Sequence, residues 1–236
     1  MSLLQESEAS RYKRMAAERA VELIQSGTVV GLGSGSTSAL VVHRLAALLG
    51  EGKLKDVVGV PTSLETESLA RSLGVPLTTL EEHPFLALTI DGADEVDPAL
   101  NLIKGGGGAL LREKIVAQAS QREIIVVDES KLSPQLGTRW PVPVEVLPFG
   151  WNSQALYLEG LGARVVRREA HDGAPYRTDQ GNFILDCAFG PIARPAELAA
   201  KLEARAGVVE HGLFIGITSE LIIAGPKGVE HRRPSG

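Results

Sequence analysis

Three short stretches concentrate side chains able to hold an anion or move a proton. The first, Gly31-Leu-Gly-Ser-Gly-Ser-Thr-Ser38, follows an apolar run and opens a helix-like stretch. Glycine lets a backbone approach a ligand closely, and the unpaired N–H groups of a helix N-terminus lie at the positive end of its dipole, so a phosphate or carboxylate is favoured there. Ser34, Ser36 and Thr37 add hydroxyl donors around Gly35. The glycine spacing misses G-x-G-x-x-G by one place and the Lys-Ser/Thr of a P-loop is lacking, which argues against a dinucleotide. A plain glycine turn in which Ser36 or Thr37 caps the helix is the alternative.

The second stretch, Asp91-Gly-Ala-Asp-Glu-Val-Asp97, packs four carboxylates into seven positions directly after an apolar run. Crowded like charges raise the pKa of at least one member, which is how carboxylates become proton carriers near neutral pH. Asp91 and Asp94, nearest the end of the run, are the ones expected to point inward, and Asp97-Pro98 belongs to the turn. A solvated acidic turn and a divalent-cation site of hard oxygen ligands remain open beside that reading.

The third is Ile103-Lys-Gly-Gly-Gly-Gly-Ala-Leu-Leu-Arg-Glu-Lys114. Four consecutive glycines offer nothing to a core and cost conformational entropy, so they point to a backbone that lies against a ligand. Lys104 stands at their entrance and can neutralise developing negative charge, while Glu113, in the first turns of the following helix, can carry a proton. Alone, Glu113 would read as a surface residue favoured by the helix dipole. No reactive cysteine or Ser–His pair is indicated: Cys187 sits in an apolar segment, and none of the five histidines, His43, His83, His171, His211 and His231, falls in these loops.

The elements that must hold these loops are short apolar runs separated by amphipathic stretches. Thr28–Leu32, Val57–Val60, Leu86–Ile90 and Ile124–Val127 are nearly continuous in apolar residues, as expected of parallel strands buried on both faces. Helical stretches lie between them at about 10–25, 37–50, 64–73 and 109–121. The alternation predicts an α/β fold, an open Rossmann-like, mostly parallel sheet with helices on both faces, whose sites form beyond the carboxyl ends of the strands. After Lys131 the texture changes, with Pro134, Pro141, Pro143 and Pro148 close together. Strand-like 163–167 and 182–186, a turn at 172–175 and a helix at 195–206 read as a small α+β (ferredoxin-like) domain. The expected partition is a catalytic α/β domain of residues 1–134 and 208–236 with residues 135–207 as the small domain. Leu213–Ile217 and Leu221–Ala224 are expected to return as strands to the first sheet, and Glu230–Gly236 to be a frayed end.

Composition narrows the class. The 236 residues carry 24 Lys+Arg against 29 Asp+Glu, a net charge of −5, with 44% hydrophobic and 22% charged residues. A mean hydropathy of +0.06 excludes a disordered chain. An acidic protein, pI about 5.6, is a poor match for nucleic acid, whose binding rests on displacing counterions with basic residues. One cysteine precludes an intrachain disulfide or a Cys-rich zinc site and suits a reducing cytoplasm. No apolar run approaches a membrane span, and the Met1–Arg14 stretch has no leader character.

At the three loops the sequence resembles the ribose-5-phosphate isomerase A family. The resemblance rests on Gly33-Ser-Gly-Ser-Thr37, Val60-Pro-Thr-Ser63, Asp91-Gly-Ala-Asp-Glu95, Lys104-Gly-Gly-Gly107 with Arg112-Glu-Lys114, Pro143-Val-Glu-Val146, Thr178-Asp-Gln-Gly-Asn182, Leu185-Asp186 and Gly207-Val-Val-Glu-His-Gly-Leu-Phe214, in order along almost the whole chain. It implies interconversion of D-ribose 5-phosphate and D-ribulose 5-phosphate through a cis-enediolate, without metal or organic cofactor, by a cytoplasmic homodimer or tetramer. It also implies roles. Glu113 would be the general base, and Asp91, with Asp94 beside it, would assist ring opening. Lys104 and the amides of Gly105, Gly106 and Gly107 would stabilise the oxyanion. Ser34, Gly35, Ser36, Thr37, Gly92, Ala93 and Lys131 would contact substrate, with Lys13 at the same phosphate. Gly108 often varies in such families, so its loss should be tolerated better than that of its neighbours. Other readings are a sugar-phosphate sensor, which would need a DNA-binding module, a hexosamine-phosphate deaminase, or a coenzyme A transferase working through a glutamyl thioester.

Overall fold

A computed structural model describes residues 7–234. In chain order the elements are α1 (Glu8–Val21), β1 (Val29–Leu32), α2 (Gly35–Gly50), β2 (Val58–Pro61), α3 (Leu64–Ser72), β3 (Leu88–Asp91), β4 (Glu95–Val96), β5 (Leu102–Ile103), α4 (Leu110–Gln118) and β6 (Glu123–Asp128). A single 3-10 turn, Glu129–Lys131, is followed by β7 (Val142–Val146), α5 (Trp151–Gly160), β8 (Arg164–Arg167), β9 (Phe183–Ala188), α6 (Pro195–Glu203), β10 (Val208–His211), β11 (Leu213–Phe214), β12 (Glu220–Gly225) and β13 (Gly228–Arg232). The chain forms two compact units, one of Met1–Gly92, Val116–Lys131 and Thr218–Gly236, the other of Ala93–Ile115 and Leu132–Ile217.

The first unit is built on a six-stranded sheet in the order β13-β12-β6-β3-β1-β2. Every pair from β12 to β2 is parallel, and β13 alone is antiparallel. The apolar runs form these strands because both sheet faces are covered. On one face Val30, Leu32, Ile90, Ile124, Val126 and Ile222 pack with Ala16 and Ala20 of α1, Val41 and Leu45 of α2, and Ala70 of α3. On the other, Val60 and Leu86 meet Val116 of α4. Gly31 is required at its position: a Cβ there would come within 1.8 Å of Thr89 Oγ1.

The second unit holds two antiparallel sheets. β10-β7-β9-β8 is crossed by α5 and α6 in the chain order β-α-β-β-α-β, the ferredoxin-like arrangement. Val142, Val144, Phe183, Leu185 and Cys187 pack there against Leu158 of α5 and Leu202 of α6. Burial pushes the Cys187 thiol upward, so it is an inert packing group. The smaller sheet is β11-β5-β4.

Two expectations need correction. The apolar stretch 213–217 does not return to the first sheet: Leu213 and Phe214 pair with Ile103 and Leu102, and only β12 rejoins β6. Apolarity signals burial but does not say in which sheet. The end of the chain is not frayed through Arg232 either. Glu230, His231 and Arg232 form β13, paired with Ile223, Ile222 and Leu221. An edge strand exposed to water tolerates charges, which also guard the edge, so its sequence looks unstructured. Ser235, Gly236 and residues 1–6 of the reputedly leaderless N-terminus lie outside the described residues.

Candidate active site

In the first unit the strand order places β1 between β2 and β3, so successive crossovers leave β1 in opposite directions. The loops after β1 and β3 therefore flank a topological switch point, where open α/β sheets bind ligands. Asp91, the last residue of β3, is buried there, and its Oδ1 accepts from Ser34 N at 3.0 Å, Gly92 N at 2.7 Å and Ser38 Oγ at 3.1 Å. The two loops are in contact through backbone as well: Gly33 N donates to Ile90 O at 3.0 Å, and a Cβ on Gly33 would lie 2.6 Å from the Asp91 Cα.

The alternative in which Ser36 or Thr37 caps the helix is not what forms, because both lie inside α2. Ser34 is the N-cap of α2, yet its side chain makes no cap bond. Its Oγ instead lies 2.7 Å from Thr62 Oγ1 and 2.8 Å from Ser63 Oγ, while Thr66 Oγ1 donates to Gly33 O at 3.0 Å. Gly35 (φ 86°), Ser36 and Thr37 thus occupy the first turn, where backbone N–H groups have no intrahelical acceptor. Lys13 Nζ reaches the same turn, donating to Ser36 Oγ at 2.9 Å. Lys131 sits in the 3-10 turn after β6. The Thr62, Ser63 and Thr66 hydroxyls were not singled out by sequence spacing, because their meeting with Ser34 depends on β1–β2 pairing.

In the second unit the glycine loop is fixed by its carbonyls. Arg168 Nη1 donates to Gly105 O at 2.9 Å and Gly106 O at 3.0 Å, and Tyr176 Oη to Gly107 O at 3.2 Å. Gly106 N donates to Asp94 Oδ2 at 2.7 Å. Arg168 is itself held by Asp186 through Nε at 3.0 Å. Neither Arg168 nor Tyr176 carries a local signal that would find it. Gly108 corrects an expectation: with φ 84° and a Cβ that would stand 2.2 Å from Tyr176 Oη, it is more constrained than Gly107, whose Cβ would meet nothing within 4 Å.

Below this loop Lys104 and Glu113 are both buried, with Lys104 Nζ 3.4 Å from Glu113 Oε2. Lys104 is positioned through its N–H, which donates to Gly212 O at 2.9 Å, and Glu113 by the first turn of α4. Phe214 of β11 presents its ring to Lys104 Nζ at 5.5 Å and to Lys114 Nζ at 4.9 Å from the centroid. Lys114 Nζ donates to Glu210 Oε1 at 2.5 Å and His211 O at 2.7 Å. Burial pushes the Lys114 ammonium below the usual lysine range, with Glu210 opposing.

The acidic loop is not a solvated turn, since Asp91 and Glu95 are buried. Its carboxylates each take their own donors. Glu95 accepts from Gly137 N at 2.9 Å, Arg139 N at 3.1 Å and Trp140 N at 3.2 Å, and Asp97 from Asn101 N at 2.8 Å. Glu95 and Asp97 are therefore loop anchors, while Asp91 is held by the β1–α2 loop and Asp94 by Gly106 N. Among the described residues no group of three or more His, Cys, Asp or Glu could hold a metal ion, and no helix is long and apolar enough to cross a membrane.

Fold and site define an α/β enzyme whose polar groups suit a small anionic molecule. The chain belongs to the ribose-5-phosphate isomerase A family. The family model for ribose 5-phosphate isomerase A (phosphoriboisomerase A) matches residues 58–228. Ribose-5-phosphate isomerase A of Chloroflexus aurantiacus is 60% identical over 219 residues, covering 93% of this chain and 92% of its own. Among solved structures, a D-ribose-5-phosphate isomerase in complex with phospho-erythronic acid superposes with a TM-score of 0.94 at 37% identity, over 96% of this chain and 100% of that one. The ribose 5-phosphate isomerase of Plasmodium falciparum gives 0.93 at 42% identity, over 96% and 100%.

Proposed function

We propose that the protein interconverts D-ribose 5-phosphate and D-ribulose 5-phosphate in the pentose phosphate pathway, a reading supported by relatives named ribose-5-phosphate isomerase A. The observation that carries the reading is the buried Lys104–Glu113 pair, Nζ 3.4 Å from Oε2. A carboxylate withdrawn from water beside a fixed cation is suited to take a proton from carbon while the cation meets the negative charge that develops on oxygen. Glu113 removes the C2 proton of the open-chain aldose, the electrons move onto the C1 oxygen to give a cis-enediolate, and the proton returns to C1 as the hydroxyl proton passes from O2 to O1. Lys104 stabilises the oxyanion. The amides of Gly105 and Gly107 assist it, since Gly106 N is committed to Asp94.

Asp91 assists ring opening and the movement of hydroxyl protons, with Asp94 as its neighbour in the reaction. The Ser34–Thr37 turn binds the phosphate through first-turn amides and hydroxyls, with Lys13, already on Ser36, and Lys131 supplying positive charge. Gly92 and Ala93 contact the sugar. The bound phospho-erythronic acid of one relative is likewise a small anionic phosphate. The scheme asks for no metal or organic cofactor, and we extend it to a cytoplasmic homodimer. Conversion of ribose 5-phosphate by chelator-treated wild-type protein, set beside Glu113→Gln, tests the reading. No conversion by the wild type would overturn it.

A further inference from the structure

We propose that Phe214 is a positioning residue: the face of its ring fixes the Lys104 ammonium beside Glu113 and holds it in the charged state. The inference rests on the assignment of Lys104 to the developing oxyanion. Lys104 is 3% exposed, so its ammonium has given up nearly all of its water. Burial disfavours the charged form of a lysine unless something replaces that hydration. Charged and aromatic groups from two elements stand around it. From α4 come Glu113, at 3.4 Å, and Lys114, on the same ring. Behind Lys114 stand Glu210 and His211 of β10. From β11 comes Phe214, its centroid 5.5 Å from Lys104 Nζ.

An aromatic face carries the negative lobe of the ring quadrupole, and its attraction for a cation grows when both are desolvated. Phe214 is fully buried, and its backbone is paired with Leu102 in β5, two residues before Lys104, so ring and lysine are set by the same small sheet. A leucine would fill a core position without supplying that charge. The ring is also shared: Lys114 lies closer to its centroid, at 4.9 Å, and is tied down by Glu210 and His211 O. The two cations therefore act on one another through a common partner, and removing Lys114 should strengthen the hold on Lys104.

The test reads Lys104 directly. Protein labelled with carbon-13 at lysine Cε is titrated by NMR, with Lys104→Ala identifying the signal, and kcat and KM for ribose 5-phosphate are followed over the same pH range. Phe214 is replaced by leucine, by tyrosine, and by phenylalanines bearing one, two and three fluorines, which weaken the ring face at nearly constant shape. The expected result is a graded fall of the Lys104 midpoint with fluorination and about a tenfold weaker hold on its proton in Phe214→Leu. The alkaline limb of kcat should fall to lower pH in step, with KM little changed. Phe214→Tyr should restore both, and Lys114→Met should move the midpoint upward. A folded fluorinated series with an unmoved midpoint would overturn the proposal. A midpoint that moves while the alkaline limb stays would remove Phe214 from the reaction; if Lys104→Ala also kept its turnover, the Lys104 assignment would fall with it.

Discussion

Lys104 Nζ lies 3.4 Å from Glu113 Oε2, and neither side chain is more than 7% exposed. Two opposite charges taken out of water gain little net stability from each other, because desolvation offsets the attraction, but removing one strands the other. Glu113→Gln should therefore lower kcat by about 10²–10⁴ and also destabilise the fold. Urea unfolding should show the double variant Glu113→Gln with Lys104→Met to be more stable than Glu113→Gln alone. A less stable double variant would contradict a buried charge pair.

Lys104→Ala removes a charge that matters most when the enediolate forms. The expected loss lies in kcat, with KM close to that of the wild type. Steady-state kinetics in both directions decides it, and a change confined to KM would place Lys104 in ground-state binding.

The glycines differ in what they tolerate. Gly33→Ala would put a Cβ 2.2 Å from Asp91 Oδ1 and 2.6 Å from its Cα, so backbone must move, at a cost of about 1–3 kcal/mol. Gly108→Ala meets both a positive φ and Tyr176, whereas Gly107→Ala meets open space. Denaturation midpoints should fall clearly for Gly33→Ala and Gly108→Ala and little for Gly107→Ala.

His211 links stability to pH. Burial, with the Lys114 charge next, depresses its pKa from 6.5 to about 3. Between those values the unfolded chain binds the proton that the folded one refuses, so stability is full above about pH 6.5 and declines as pH falls toward 3, by up to about 1.4 kcal/mol per pH unit from this residue. Unfolding free energies of wild type and His211→Gln at pH 5 and pH 7 should converge toward the lower pH. A wild-type slope unchanged by the substitution would count against it.

The parallel core was legible because strands covered on both faces admit only apolar residues, as in β6, and the helices between them keep an amphipathic stripe. β7 was hidden by Pro143, which a central strand normally rejects. The reason it fits is visible in the register: β10 pairs only with Val144–Val146, and on that side Pro143 is met by Gly212, whose N–H donates to the proline carbonyl at 2.7 Å and asks nothing of the missing donor. β4 and β5 have two residues each and leave no periodicity to read. The glycine-rich and acidic stretches drew notice by composition alone, and Thr62, Ser63 and Phe214 entered only within blocks that carry the family resemblance; Arg168 and Tyr176, whose partners Gly105–Gly107 lie far off in sequence, left no local signal.

The interleaving of the two units also has a consequence during synthesis. β6 lies between β3 and β12 in the parallel sheet, but Leu132–Ile217, most of the second unit, is translated between β6 and β12. Until the last strands leave the ribosome, the nascent sheet exposes one flank of a six-residue, wholly apolar-cored strand. Such an unpaired edge is a template for intermolecular pairing. Truncation anywhere after β6 and before Glu220 should yield a chain that aggregates rather than a smaller folded one, so this protein offers no stopping point at which part of its message makes a useful product.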